Sequence, residues 1–133
     1  MNPNPARSSA WTAVAAVLVH GVLWGLLVSG MMALVPGYKR TFDDFQMSLP
    51  LLTRAVIGFT DWVIDCYYLF PLLFLPMIAL DGGIQYFLHQ EPLTRRLSIL
   101  WLGLMTMLPL LAAMLVVMGV TQPMADLMRG LEK

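Results

Sequence analysis

Residues 11–35, WTAVAAVLVHGVLWGLLVSGMMALV, hold 25 consecutive positions without a formally charged side chain. At a helical rise of about 1.5 Å per residue this run reaches about 37 Å, more than the roughly 30 Å hydrocarbon core of a bilayer. Residues 97–120 form a second run, 24 positions long and equally free of charge. Inside lipid every backbone N–H and C=O must be paired within the segment, so spanning elements of this kind are helices. The chain therefore reads as an all-α membrane protein whose first partner is the bilayer.

Composition excludes several classes. The charged fraction is 12% and the hydrophobic fraction 59%, against roughly 25% charged residues in an average soluble domain. Lys plus Arg and Asp plus Glu number 8 each, so no charge excess points to nucleic acid or to an anionic lipid surface. Cys66 is the single cysteine, which rules out an intrachain disulfide and a multi-cysteine metal site. The eleven methionines suit helix contacts that must adapt, because the thioether chain is unbranched and polarisable. A cleaved signal peptide fits poorly. The first apolar run exceeds the roughly 7–15 residues of a signal core and ends in Val35-Pro36, not at a small-x-small site.

The organisation follows from where the charges fall. Residues 1–10 form a polar arm, with Ser8 or Ser9 able to cap the first helix. The first span covers about 11–35 and is expected to stop at Pro36-Gly37. Residues 36–65 carry Lys39, Arg40, Asp43, Asp44, Arg54, Asp61 and Asp65, each worth roughly 2.5–3.5 kcal/mol against insertion at mid-bilayer. This segment reads as two amphipathic pieces divided at Leu49-Pro50. In the second piece Leu52, Val56, Phe59 and Val63 recur at helical spacing opposite Arg54, Asp61 and Asp65. A short amphipathic helix next to a span is expected to lie in the membrane interface.

The second span, about 66–88, is interrupted by Pro71 and Pro76, both expected to bend it. It must take in Asp81 to reach spanning length. Tyr67, Tyr68 and Tyr86 are placed as interface anchors. A turn at 89–96 leads to the third span, 97–120, and to an amphipathic tail, 121–133, in which Pro123 ends or kinks the helix. The expected fold is one domain, 11–120, of three transmembrane helices with a short interfacial helix between the first and second.

Candidate functional residues are few. Gly21, Gly25 and Ser29 form a small-xxx-small stripe, which lets membrane helices approach closely. His20 lies beside that stripe. It could serve as a proton site or metal ligand, but a neutral imidazole bonded to a backbone carbonyl or a neighbouring helix explains it with less. Asp81 is an intramembrane carboxylate and hence a possible proton or cation site, although water or Arg95 and Arg96 could serve it at a helix end. Asp61 and Asp65, four apart, share a helical face without an accompanying nucleophile or further ligand. No phosphate loop, HExxH, GxSxG or CxxC occurs, so the expectation is no enzyme, no cofactor and no metal.

The residues after the first span carry a family resemblance. Leu34-Val35-Pro36, Tyr38, Phe42, Phe45, Leu49-Pro50, Thr53-Arg54 and Asp61-Trp62 resemble a segment of the inner-membrane platform protein of type II secretion and type IV pili, the secretion F family. The aromatic pair Tyr67-Tyr68 and the tail with Pro123, Asp126-Leu127 and Leu131 are similar to the same family. Thus Pro36, Phe42, Phe45, Leu49, Pro50, Thr53, Asp61 and Trp62 are the residues that match its pattern.

The resemblance implies the bacterial inner membrane and association with other membrane proteins or with further copies of the chain. It also implies a scaffold or accessory role in a larger assembly. The family's cytoplasmic helical bundles have no counterpart between the second and third spans, where eight residues intervene. A small transporter or proton-conducting element using Asp81 and His20 is the alternative. Orientation is read two ways: the resemblance puts the N-terminus in the cytoplasm, whereas the excess of basic residues beyond the first span puts it outside.

Overall fold

The computed structural model describes residues 5–90 and 93–131. The expectations for Met1 to Asn4 and for Glu132 and Lys133 lie outside the described residues, as does any role of the Ser8 side chain. Four helices follow one another: α1 (Pro5–Asp44), α2 (Leu51–Asp65), α3 (Leu69–Gln90) and α4 (Arg95–Leu131). Three of them, α1, α3 and α4, are long and apolar enough to cross a membrane. The protein is a multi-pass membrane protein.

The helices run further than the sequence reading placed them. α1 opens at Pro5, a residue whose missing N–H costs nothing in a first turn. Ser9 therefore lies inside the helix and does not cap it. α1 does not stop at Pro36 either but continues to Asp44. Proline removes one backbone bond, yet Val35 before it and Phe42 after it are each only 1% exposed in a shared core. That burial on both sides holds the helix across the break.

Its true end is a Schellman motif. Gln46 sits at φ 50, Gln46 N–H donates to Asp43 O and Met47 N–H to Phe42 O, both at 3.1 Å. This is the pattern in which a left-handed residue lets two N–H groups fold back onto the last carbonyls. Met47 also packs against the cluster that contains Phe42, the apolar contact that accompanies such caps. At the far end of the chain α4 runs through Pro123 to Leu131, so the expected tail is helix continuous with the third span.

The prolines of the second span divide in role. Pro71 falls in the first turn of α3, where its N–H would have no intrahelical partner in any case. Pro76 lies in the helix interior. Residues 66–68 form a turn between α2 and α3, which moves the start of the second span from 66 to Leu69.

Contacts group the chain into two units. One holds α1 up to Gly25, all of α3, and α4 up to Leu110. Here α1 and α3 are antiparallel: Gly21 faces Ile78, and one turn away Val17 faces Gly82. A Cβ on Gly82 would come within 2.6 Å of Val17 Cγ2. Glycine is required there because β-branched Val17 has little rotamer freedom with which to retreat. Residues 93–94 form a turn before α4, with Thr94 Oγ1–H donating to Leu88 O at 2.8 Å and Ser98 N–H to Thr94 O at 3.0 Å.

The other unit holds Leu26 to Tyr67 and α4 from Leu111 onward. Its core is Met31, Val35 and Phe42 from α1, Val56 and Ile57 from α2, and Val120 from α4. The buried face of α2 is Thr53, Val56, Ile57, Thr60 and Val63. This corrects the expected face, since Phe59 turns outward and Leu52 is half-buried. Two threonines can take the inside because their hydroxyls are satisfied. Thr53 donates to Gly119 O at 2.6 Å and Thr60 to Val56 O at 2.8 Å. Gly119 allows that approach, for a Cβ there would lie 3.0 Å from Val56 Cγ2.

Candidate functional site: a buried histidine–aspartate pair

The first unit contains a polar cluster drawn from three helices. His20 of α1 is 3% exposed and Asp81 of α3 is 8% exposed. His20 Nδ1 is bonded to Asp81 Oδ2, and Trp101 of α4 donates its Nε1–H to Asp81 Oδ1 at 2.7 Å. On the opposite edge of the imidazole, Nε2 lies 3.1 Å from Thr106 Oγ1, also on α4.

One placement of the hydrogens gives every group in the cluster a partner. Thr106 Oγ1–H donates to Leu102 O at 2.8 Å, so towards the imidazole it accepts, and His20 carries a proton on Nε2. One further proton lies between Nδ1 and Oδ2. Whether it is drawn on the ring or on the carboxyl, the pair as a whole has no net charge. That is the arrangement that lowers the cost of burying two ionisable groups.

Depth follows from chain position. His20 is nine residues from Trp11 and Thr106 nine from Leu97, the first residues of the two charge-free runs. Each is therefore about 14 Å into its run. Beside the cluster is a cavity of about 280 Å³ walled chiefly by apolar side chains, among them Trp24, Met77, Ile84 and Leu108.

The sequence singled out His20 and Asp81 separately, and the structure brings them together. Asp81 takes its bonds from His20 and Trp101, whereas Arg95 and Arg96 are both exposed. Trp101 and Thr106 escaped the sequence reading. A signal for Thr106 was present, since it is the single hydroxyl-bearing residue between positions 99 and 120, and a buried hydroxyl needs a partner.

Other candidates are placed elsewhere. Of the small-residue stripe, Gly21 is in close contact with Ile78 inside the first unit. A Cβ at Gly25 would meet no atom within 4 Å, and Ser29 is exposed. Asp61 is half-exposed and accepts from Lys39 Nζ at 2.8 Å, a pair open enough to water to contribute little stability. Asp65 is exposed. Of the family-pattern residues, Phe42 and Thr53 are buried, Pro36 and Leu49 half-buried, and Phe45, Pro50 and Trp62 exposed. Trp62 stacks on Phe59 with ring centroids 5.9 Å apart. Among the described residues no three metal-ligating side chains converge.

Comparison with known proteins gives one informative likeness. Over 97 residues the chain is 33% identical to the type II secretion system protein F of Pseudomonas aeruginosa, a match covering 73% of this chain and 20% of that protein. The chain thus spans about a fifth of the length of the relative it matches. No family model matches the sequence. No solved structure matches it either. The likeness supports a distant link to the secretion F family, and the protein is a secretion F-like membrane protein.

Proposed function

We propose that this protein is a non-catalytic scaffold or accessory subunit of a secretion-type assembly in the bacterial inner membrane. The observation that carries the reading is the 33% identity over 97 residues to a secretion system protein F. Its partners are other membrane proteins or further copies of the chain. α2 lies along the membrane interface in this reading. It carries Leu51, Phe59 and Trp62 exposed on one side and Arg54 and Asp65 exposed on another, and such a helix keeps its apolar edge in lipid and its charges in water. The His20–Asp81 pair acts as a polar pin. Three helices meet on one bonded cluster, which fixes their rotation where apolar packing alone would tolerate slippage.

Mild-detergent extraction followed by affinity purification is expected to recover the protein with other membrane proteins or as an oligomer. Gly25→Leu should weaken that association, because a small residue on an accessible helix face permits close backbone approach and leucine does not. Recovery of a monomer, unchanged by Gly25→Leu, would overturn the scaffold reading.

A conducting element built on His20 and Asp81 is the second reading, and the contact between those two residues is what favours it. It needs a polar path on both sides of the pair. Towards Trp24, Met77 and Leu108 the cluster is bordered by apolar side chains. Reconstituted vesicles should therefore show no proton flux above protein-free vesicles. Flux that disappears in Asp81→Asn would replace the scaffold reading with this one.

A further inference from the structure

The polar groups around the buried pair are distributed on one side of it. Asp81, Gln85 and His89 are spaced four apart on α3, so they stand in a row with about 6 Å of axial rise between neighbours. Gln85 is 1% exposed, and its Oε1 meets no hydrogen-bond partner among the described residues. His89 Nδ1 is buried and equally without one. α4 contributes Ser98, 1% exposed, and α1 contributes Ser9, fully buried. Every one of these residues lies between the His20–Asp81 pair and the α3–α4 turn.

On the other side of the pair stand Trp24, one turn beyond His20, Met77, one turn beyond Asp81, and Leu108, two residues beyond Thr106. A buried carbonyl oxygen without a partner loses its hydration with nothing to offset it. Where the protein itself offers no partner, a buried water serves such a group, making about three hydrogen bonds. Two unpartnered buried polar atoms in one row offer what such waters need.

We propose that the face Asp81–Gln85–His89 of α3 is a water-filled half-channel that opens at the α3–α4 turn and ends at the His20–Asp81 pair. It gives the pair proton exchange with one side of the membrane. The chemistry is reversible: a proton taken up from the aqueous compartment at the mouth is relayed along the waters of the row to Asp81 Oδ2, each water giving one proton as it accepts another, the proton between Nδ1 and Oδ2 stays on the imidazole, and the pair becomes a cation. The proton returns by the same route, because the apolar residues beyond the pair hold no water to receive it.

The titratable groups that face the pair are His20 itself from α1 and Asp81 and His89 from α3. From α4 the pair is met by Trp101 and Thr106, which do not titrate in the ordinary range, while Arg95 and Arg96 lie exposed at the mouth. The pair so placed is a proton-loaded element that senses one compartment, and it conducts nothing across the membrane.

Thiol accessibility in sealed vesicles tests this on the full chain. In a Cys66→Ser background, Gln85→Cys and Met77→Cys are compared for reaction with a membrane-impermeant cationic thiol reagent, and Leu93→Cys in the exposed turn marks the side. Gln85→Cys should be labelled from the side that labels Leu93→Cys and not from the other. Met77→Cys, one turn beyond Asp81, should be labelled from neither. Gln85→Cys that reacts from neither side, or Met77→Cys that reacts from either, overturns the half-channel.

A second measurement does not depend on cysteine substitution. In D2O the Trp101 indole N–H of the wild-type protein should exchange, and Gln85→Leu should slow that exchange while the helix content is unchanged. Equal exchange rates in the two proteins would also defeat the proposal.

Discussion

Asp81 is held by two side chains of different kinds, and this makes the cluster separable by mutation. Trp101 Nε1–H reaches Oδ1 from α4 and the imidazole reaches Oδ2 from α1. Trp101→Phe keeps an aromatic ring, smaller by the fused pyrrole, and removes the indole donor, leaving one carboxylate oxygen unserved in a site 8% exposed. A hydrogen bond to a charged group contributes about 1.5–3 kcal/mol. Trp101→Phe should lower unfolding stability in detergent micelles by about that amount, read from thermal or denaturant melts. Thr106→Val should cost less, about 0.5–1.5 kcal/mol, since it removes one neutral acceptor from Nε2. Equal effects of the two substitutions would show that Trp101 contributes by packing and not by its bond to Asp81.

The elements are longer than their apolar runs because packing and caps, not hydropathy, decide where each helix ends. α1 shows both. It crosses Pro36 on the strength of Val35 and Phe42, and it stops only where Gln46 turns left-handed. The left-handed conformation costs a non-glycine residue roughly 1–2 kcal/mol. Glycine there would relieve it but loses more entropy on folding, by about 0.5–1 kcal/mol. Gln46→Gly is therefore expected to raise stability by about 0.5–1 kcal/mol, visible as a higher melting temperature with an unchanged helix content. A lower melting temperature would mean that the Gln46 side chain itself makes a stabilising contact at the cap.

At the scale of the molecule, each of the two contact units is a packing of three helical segments with its own chemistry. The first unit is poor in charge and encloses the His20–Asp81 cluster. The second carries the surface pair of Lys39 and Asp61 and a core from Met31 to Val120. Three helices fit for spanning imply that the segment after α1 and the end of α4 share a side. Accessibility mapping with single cysteines should find Asp43→Cys and Arg129→Cys labelled from one side and Arg95→Cys from the other. Any other distribution removes the three-span topology. The same experiment fixes the orientation, on which the family resemblance and the basic-residue count pull in opposite directions.

What the amino-acid sequence determined by itself was the solvent and the kind of structure. A run such as residues 97–120 without a charge is a local property, and lipid allows one backbone solution to it. The same local logic marked α2 as an amphipathic helix and marked His20 and Asp81 as costly residues to bury. Only the tertiary structure decided what those residues meet. His20 and Asp81 are 61 positions apart, and no pattern along the chain encodes which helices touch or at what rotation. The face of α2 was misjudged for a related reason. Threonine counts as polar in a periodicity, yet Thr53 and Thr60 are buried because Gly119 and Val56 offer carbonyls to their hydroxyls. Pro36 reads as a stop because its lost hydrogen bond is local, while the burial of Val35 and Phe42 that outweighs it comes from helices distant in sequence.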